Sequence, residues 1–296
     1  MLHEIVPGVY AWVQPDGTWW VNNAGAVVDG GSTFVVDTCA TEARTRRFLA
    51  AVPGEIRMAV NTHQHGDHTY GNCLLPARTV LIGHEHMREG LRTDPIIDGC
   101  PPFWQPVPDW GAVTRRLPDL AVRDRLTVYI GQVRIELLHP GGPAHTTGDL
   151  VAWLPEQRVL FAGDLVFNGL TPLVFMGSVP GAMAALDWLA DLGPAHLVPG
   201  HGPVLAEADA GPALAKLRRY YRFVLDTADA GMAAGRTPLD AARDCDLGEF
   251  AGWADAERIV LNLHRAYADR RGVELDLIAA LSDAVAWRGG PMPTTV

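Results

Sequence analysis

The stretch NTHQHGDHTYGN, residues 61–72, carries three histidines and an aspartate within six positions. In an extended loop, His63 and His65 project to the same side, and Asp67 and His68 follow from the next turn, so four donors can converge. Imidazole and carboxylate together suit zinc, manganese or iron rather than a soft metal held by thiolates. The other interpretation is a polar loop whose histidines hydrogen-bond to the backbone. The stretch alone leaves both open, and we favour the metal site.

Three further potential ligands follow along the chain. His145 lies in HPGGPAHTTGD, Asp164 in VLFAGDLVF and His201 in LVPGHGP. Each is expected at the end of a strand-like run, close to glycines that let the backbone approach a ligand cluster. Open α/β sheets usually place their sites at the carboxyl ends of strands. These residues therefore strengthen the prediction of a metal site.

The elements that must position these residues are strands and helices in alternation. GVYAWVQ, TWWVNNAGAVVDG and STFVVDT are predicted strands, and the helix Thr41–Val52 between STFVVDT and RMAVNT fits a βαβ unit. A Trp-bearing segment from Arg92 to Asp119 is a predicted loop or lid. After about Gly211 the pattern becomes helical. The further predicted elements are the strands TVLIGH, DRLTVYIGQ, VRIELLHP, DLVAWL, RVLFAGD and PAHLVP and the helices Leu214–Met232, Asp255–Arg271 and Leu275–Trp287.

The bulk composition bounds the class of protein. The 296 residues are 48% hydrophobic and 20% charged, which is typical of a soluble globule with either one large domain or a domain plus an appendage. We predict a catalytic domain over residues 1–211 and a helical C-terminal portion over 212–296. The chain shows neither a long apolar run nor a signal peptide, so we expect a cytoplasmic protein without a membrane segment. A net charge of −10 argues against a nucleic-acid partner, and the four scattered cysteines are expected to be free thiols.

Taken in order, these motifs resemble the metallo-β-lactamase fold superfamily from about Val9 to Pro203. That resemblance implies an α/β class protein, an αββα sandwich with two metal ions at one edge. It also implies that Asp37, in FVVDT, positions the histidine loop and that Asp67 orients the attacking water. The implied ligands are His63, His65 and His145 for the first ion and Asp67, His68 and His201 for the second, with Asp164 bridging.

Three stretches permit a finer comparison. PDGTWWVNNAG, VDTCATEARTRRFL and NTHQHGDHTYGNCLLP resemble the cyclase/thioesterases of type II aromatic polyketide pathways, specifically the second-ring cyclase of the actinorhodin type. This resemblance implies aldol closure and hydrolytic release of an aromatic polyketide thioester held on an acyl carrier protein. Zinc is the expected metal, with iron and manganese open. The alternatives are a glyoxalase II-like thioesterase or lactonase and a mononuclear iron sulfur dioxygenase of the same fold.

Aromatic residues near the metal edge would suit a flat substrate. We predict that Trp19 and Trp20 bind substrate, because the turn at Pro15–Gly17 should lift a hairpin over the site. Asn168 is a candidate partner for a substrate carbonyl, with an Asn-Gly turn as the alternative. A carrier protein would need a local basic patch, although each cluster also fits a solvated helix face. The candidate clusters are Arg44, Arg46 and Arg47; Arg88 and Arg92; and Arg218, Arg219 and Arg222. The oligomeric state is not predicted.

Overall fold

Two β-sheets stacked face to face form the centre of the protein, and helices cover their outer faces. The structure is a computed structural model that describes residues 1–14 and 17–296. Its strands are β1 (Leu2–Val6), β2 (Val9–Trp12), β3 (Ala24–Asp29), β4 (Ser32–Val36), β5 (Glu55–Val60), β6 (Val80–His84), β7 (Trp104–Gln105), β8 (Leu120–Val122), β9 (Arg125–Ile130), β10 (Val133–Leu138), β11 (Val151–Leu154), β12 (Val159–Phe167), β13 (His196–His201), β14 (Leu205–Ala206) and β15 (Met292–Pro293). Its α-helices are α1 (Glu42–Ala51), α2 (Gly66–Thr69), α3 (Glu85–Thr93), α4 (Val179–Leu192), α5 (Glu207–Ala233), α6 (Pro238–Asp244), α7 (Arg258–Arg271) and α8 (Leu277–Arg288).

Both sheets combine antiparallel and parallel strand pairs. The first has the order β1-β2-β3-β4-β5-β6-β8, antiparallel as far as β4 and parallel beyond it. The second has the order β14-β13-β12-β11-β10-β9, in which β12 and β13 are parallel and the other pairs antiparallel. Since parallel pairs need crossover helices, the parallel parts of both sheets lie under helical layers.

Apolar side chains from both sheets meet in the central layer. Val27 and Phe34 from the first sheet and Ile135, Leu137 and Phe161 from the second are all buried there. On the outer face of the first sheet α1 contributes its buried phenylalanine, whereas α4, α5, α7 and α8 contribute to the large core beside the second sheet. This layering is the predicted αββα sandwich with a helical C-terminal region, and the fold prediction is confirmed.

Most predicted elements are present, but their boundaries differ. Helix α1 begins after Thr41, whose hydroxyl accepts a hydrogen bond from the Arg44 backbone amide. Helix α5 runs through residues 211 and 212, so the helical portion starts earlier than predicted, and the division into two domains stays a prediction. The prediction of a strand over TWWVNNAGAVVDG is wrong in its first half, because Trp19 and Trp20 form a turn and the ladder begins at Ala24. Pro15 and Asp16, in the predicted Pro15–Gly17 turn, lie outside the described residues.

The Trp-bearing segment from Arg92 to Asp119 is mainly a loop that contains two short elements. It contains a short 3-10 helix, Ile96–Asp98, and the strand β7, which pairs in parallel with β15 near the C-terminus. Its Trp104 and Trp110 are buried. The segment is therefore packed against the body of the protein, and whether it moves as a lid stays a prediction.

None of the helices in the described ranges has the length and apolar character that a membrane crossing requires.

Candidate metal centre and substrate cavity

Seven potential metal ligands converge at one edge of the sandwich. His63 and His65 lie in the loop after β5, and Asp67 and His68 lie in the one-turn helix α2. The other three come from the second sheet: His145 follows β10, Asp164 lies within β12, and His201 ends β13. Asp164 was expected at a strand end. It lies instead where the β12–β13 register shifts, between Gly163 and Phe167.

The ligand atoms form two groups, and within each group they lie within 4.8 Å of one another. In the first, His65 Nδ1 is 3.1 Å from His63 Nε2 and 2.9 Å from His145 Nε2. In the second, His201 Nε2 is 3.2 Å from an oxygen of Asp67. The first group consists of His63, His65, His145 and Asp164 and the second of Asp67, His68 and His201.

Asp164 lies between the two groups. One of its oxygens is 3.1 Å from His68 Nε2, and the other is 3.4 Å from both His145 Nε2 and His201 Nε2. All three imidazoles are buried. A carboxylate in this position can bridge two ions, and the bridging role that the resemblance implies for Asp164 stays a prediction.

Two buried atoms test whether the residues fit a metal ion. His68 Nε2 and Asp164 Oδ1 are among the enclosed side-chain atoms of the described residues that make no hydrogen bond, although these two atoms lie 3.1 Å apart. Leaving buried polar atoms without a partner costs free energy, and native structures rarely do so without a ligand or function. A cation between the imidazole and carboxylate would satisfy both atoms, and this donor set suits zinc, iron or manganese. The residues therefore fit a divalent metal.

Hydrogen bonds on the far side of the imidazole rings orient them toward the centre. His145 Nδ1 and His201 Nδ1 lie 2.6 Å from the Leu173 carbonyl oxygen and 2.9 Å from the Gly17 carbonyl oxygen, respectively. Such carbonyl partners fix the tautomer that presents Nε2 to a metal. His65 differs, because it presents Nδ1 while its ring stacks on Phe175 at a centroid distance of 5.0 Å.

The Asp37 carboxylate makes direct contacts with the histidine loop. Its carboxylate accepts hydrogen bonds from the Thr62 amide and hydroxyl, both at 2.7 Å, and lies 2.8 Å from His68 Nδ1. The Thr62 hydroxyl in turn lies 3.0 Å from His63 Nδ1. Asp37 has a positive φ of 60°, a backbone conformation that costs free energy in a residue other than glycine. These contacts match the positioning role that the resemblance implies for Asp37.

The two groups differ in electrostatic character. Burial lowers the pKa of His63 and His65, and it lowers the pKa of His145 to about 3. Burial also acts on His201, but Asp164 and Asp67 outweigh it and raise the pKa of His201 to about 9. Burial works against ionisation of Asp164 as well, yet the surrounding imidazoles hold its pKa well below the ordinary value. The imidazoles of the first group therefore favour the neutral form, whereas the neighbouring carboxylates favour the protonated form of His68 and His201 in the second group.

A cavity of about 510 Å³ opens beside these ligands. Its polar end contains the metal ligands His65, Asp67, Asp164 and His201, while its walls are mainly apolar. The aromatic residues of the walls are Trp19, Trp20, Tyr70, Trp104, Phe167 and Phe175. Such a site can enclose a flat or branched apolar group while presenting one end to the metal centre.

The sequence and the fold both match known proteins. The family model described as the metallo-beta-lactamase superfamily matches residues 17–201, more than half of the chain. The chain belongs to this superfamily. A metallo-beta-lactamase family protein from Thermus thermophilus superposes with a TM-score of 0.67 at 19% identity, covering 91% of this chain and 95% of that one. The metallo-beta-lactamase from Pontibacter korlensis gives 0.60 at 18% identity, covering 74% and 98%. These two superpositions show a shared fold.

Relatives within the superfamily have several activities. 2,4-Dinitroanisole O-demethylase subunit alpha of Nocardioides sp. (strain JS1661) is 27% identical over 64% of this chain and 54% of its own length. Hydroxyacylglutathione hydrolase of Thermosynechococcus vestitus is 28% identical over 55% of each chain. Acyl-coenzyme A thioesterase MBLAC2 of Bos taurus is 27% identical over 49% of this chain and 55% of its own. The present chain thus spans about half the length of the curated relatives it matches.

The predicted substrate-binding residues of this superfamily member have different surroundings. Trp19 and Trp20 both line the cavity, and their contact with substrate stays a prediction. Asn168 is not among the lining residues, since its side-chain amide donates to the Pro203 carbonyl at 2.9 Å and a glycine with positive φ follows it. This arrangement is the Asn-Gly turn, so its contacts do not support the prediction that Asn168 binds substrate.

Sequence reasoning missed one wall of the cavity. Residues of α7 and α8 contribute to the lining, although the sequence analysis named no cavity residue in these helices. The residues concerned are Arg258, Leu261, Leu277, Ile278 and Leu281. Apolar spacing shows which face of a helix is covered but not what covers it. An available indication was Arg258, a buried charged residue at the start of a helix whose other buried residues are mainly apolar.

At least four of the eight arginines proposed for docking are paired with carboxylates. Arg46 lies 2.8 Å from Glu42, and Arg92 makes a close ion pair with Glu89. On α5 the guanidinium groups of Arg218 and Arg219 each lie 2.9 Å from a carboxylate of a neighbouring element. Exposed ion pairs contribute little and can exchange partners, so these contacts leave carrier-protein docking as a proposal.

A substitution at Gly200 tests the candidate metal centre without replacing any ligand residue. A Cβ at this position would lie 1.9 Å from Asp164 Oδ1 and 2.8 Å from the Gly163 carbonyl carbon. We expect Gly200→Ala to displace Asp164, lower metal affinity at least tenfold, and destabilise the fold by about 1–3 kcal/mol. Metal titration and thermal unfolding measure both effects. Gly211→Ala, on helix α5 where nothing lies within 4 Å, is the matched control; equal metal affinity in both variants would contradict the placement of Asp164.

Proposed function

We propose that this protein is a metal-dependent hydrolase that cleaves the thioester of a bulky, mainly apolar acyl group. The observation that carries the proposal is the cavity of about 510 Å³, whose aromatic walls end at the metal ligands. The hydroxyacylglutathione hydrolases and the acyl-coenzyme A thioesterase among its relatives support thioester chemistry. A thioester also suits the site because thiolate is a good leaving group and needs little help from a general acid.

Metal ions held by the two ligand groups would supply Lewis acidity toward a carbonyl oxygen and lower the pKa of water toward neutrality. The chain's own residues have separate tasks. Asp67 lines the cavity and lies 3.2 Å from His201 Nε2, so its carboxylate can orient an attacking water and accept its proton. Trp19 and Phe175 border the same space and can exclude solvent from the acyl group. We propose two ions, with zinc as the expected metal.

At a finer level we propose a cyclase/thioesterase that acts on a carrier-protein-bound aromatic polyketide. The supporting observations are the residues that resemble that family and the aromatic walls, on which a flat polycyclic intermediate can pack. Besides hydrolysis, this assignment includes the aldol closure of a second ring. A chromatographic assay of ring closure with a poly-β-ketone thioester tests it, and hydrolysis without closure would contradict the cyclase part alone.

A second candidate is a hydrolase of glutathione thioesters, because hydroxyacylglutathione hydrolases are among the relatives. Glutathione carries two carboxylates, and such a substrate needs basic residues at its site. Arg258 is the one arginine among the described lining residues, and it already lies 2.9 Å from Asp255. The described walls therefore favour a neutral acyl group over a glutathione-directed site.

A comparison of three substrates tests the proposal. We expect the zinc-loaded protein to hydrolyse S-(2-naphthoyl)-N-acetylcysteamine with a kcat/KM about a hundredfold higher than S-acetyl-N-acetylcysteamine, because burying the ring system contributes about 2–3 kcal/mol. Thiol release measured with a chromogenic disulfide follows the reaction. Preference for S-D-lactoylglutathione would select the second candidate, and no turnover of any of the three would refute the thioesterase assignment.

A further inference from the structure

The residues at the start of α7 contact a wall of the cavity as well as the helical core. Asp255 and Glu257, just before the helix, and Arg258 at its first position all have buried side chains. Burying three ionisable side chains within four positions costs free energy that apolar residues would avoid. We call these three residues the α7 anchor. Their partners indicate why such polar groups are placed there.

Each member of the α7 anchor holds the segment formed by residues 17–20. Asp255 accepts a hydrogen bond from the Thr18 hydroxyl at 2.6 Å, and Glu257 accepts one from the Trp19 indole N–H at 2.8 Å. The Arg258 guanidinium lies over the Trp19 ring, 4.5 Å from its centroid. Trp19 is therefore held by both a buried hydrogen bond and a cation–π contact. Its indole has little freedom to leave the wall of the cavity.

The same segment leads directly to the metal centre. The Gly17 carbonyl oxygen lies 2.9 Å from His201 Nδ1. Arg258 also lies over Phe167, at 5.5 Å, and the Phe167 ring stacks on His201 with centroids 5.3 Å apart. The α7 anchor thus reaches the cavity wall through Trp19 and the second ligand group through Phe167 and Gly17.

We propose that Glu257 is a positioning residue that sets the affinity of the cavity for flat aromatic groups by fixing the Trp19 indole. This inference rests on the proposed function only for the class of ligand. Glu257 does not line the cavity, so it acts through Trp19 and not by contact with substrate. Its carboxyl group is enclosed between the Trp19 N–H and Arg288, at 3.4 Å. A side chain that accepts no hydrogen bond there releases the indole.

Binding of the neutral probe 2-acetonaphthone to the zinc-loaded protein, measured by calorimetry, tests the inference without requiring turnover. We expect Glu257→Leu to weaken binding about tenfold, because a misplaced binding group costs at least this much. Glu257→Gln keeps an acceptor for Trp19 and should stay within about twofold of the unmodified protein. Zinc content should be the same in all three proteins. The indole proton resonance of Trp19 should move upfield in the leucine variant alone.

Glu249→Leu, which removes an exposed partner of Arg219, is the matched control and should leave binding unchanged. Wild-type affinity in a folded Glu257→Leu protein would overturn the inference, as would equal weakening in the glutamine and leucine variants. If the leucine variant does not fold, Trp19→Phe carries the test, and unchanged binding there would overturn it. Binding of 2-acetonaphthone without hydrolysis of any thioester would refute the proposed function and leave the positioning role standing.

Discussion

Replacing Asp164 with asparagine is expected to abolish metal retention in both ligand groups and to lower kcat/KM by about a thousandfold, equivalent to several kcal/mol of barrier. The reason is its position, with carboxylate oxygens at 3.1 Å from His68 Nε2 and 3.4 Å from His145 Nε2. An amide has the same shape but no charge, and its NH₂ group would face an imidazole nitrogen. Elemental analysis of the dialysed protein and the thioester assay measure the two effects.

Asp187→Asn is the control for this change, since Asp187 is an exposed carboxylate paired with Arg218. It should keep its metal and its activity. An Asp164→Asn protein that retained both would contradict the placement of Asp164 between the groups. Loss of metal from one group alone would show that Asp164 serves a single ion.

Replacing Asp67 with alanine is expected to remove metal from the second group only and to reduce hydrolysis about a hundredfold or more. His68 and His201 alone form an incomplete site, whereas the first group, with His63 and Asp164 among its members, loses no ligand. Asp67 also lines the cavity, so the change removes the carboxylate proposed to orient water. Elemental analysis should find about half of the wild-type metal, and the thioester assay reports the loss of turnover.

Glu55→Ala, at an exposed ion pair with Arg57, serves as the control for Asp67. Unchanged metal content and unchanged activity in Asp67→Ala would refute the metal assignment of this residue. The stretch at residues 61–72 would then be better described as a polar loop. Comparing the metal contents of Asp164→Asn and Asp67→Ala distinguishes a ligand that serves both groups from a ligand that serves only one.

The convergence of the candidate metal ligands was predictable from sequence because each residue type is chemically informative. His63, His65, Asp67 and His68 stand in one short motif, and the resemblance placed three distant residues with them. The structure brings all seven together. The cavity was only partly predictable. Trp19 and Trp20 were identified as candidates by residue type, but their aromatic character also led to the wrong prediction of a strand.

Buried asparagines explain why that strand is absent. Asn22 donates to the Thr38 carbonyl at 2.7 Å, and Asn23 donates to the carbonyls of Pro199 and Gly202 at 2.9 and 2.7 Å. These side chains take the place of ladder bonds and join the segment to both sheets. Their partners are distant in sequence, so no local pattern revealed them. The contribution of α7 and α8 to the cavity was hidden for the same reason.

Part of the cavity wall lies outside the region that the family model matches. Every proposed ligand falls between residues 17 and 201, whereas Arg258, Leu261 and Ile278 belong to helices beyond it. The proposed ligands therefore come from one stretch of the chain, whereas the cavity walls draw on residues both within and beyond that stretch. Substitutions at Leu261 or Ile278 can reshape the space offered to a substrate without changing any proposed ligand residue.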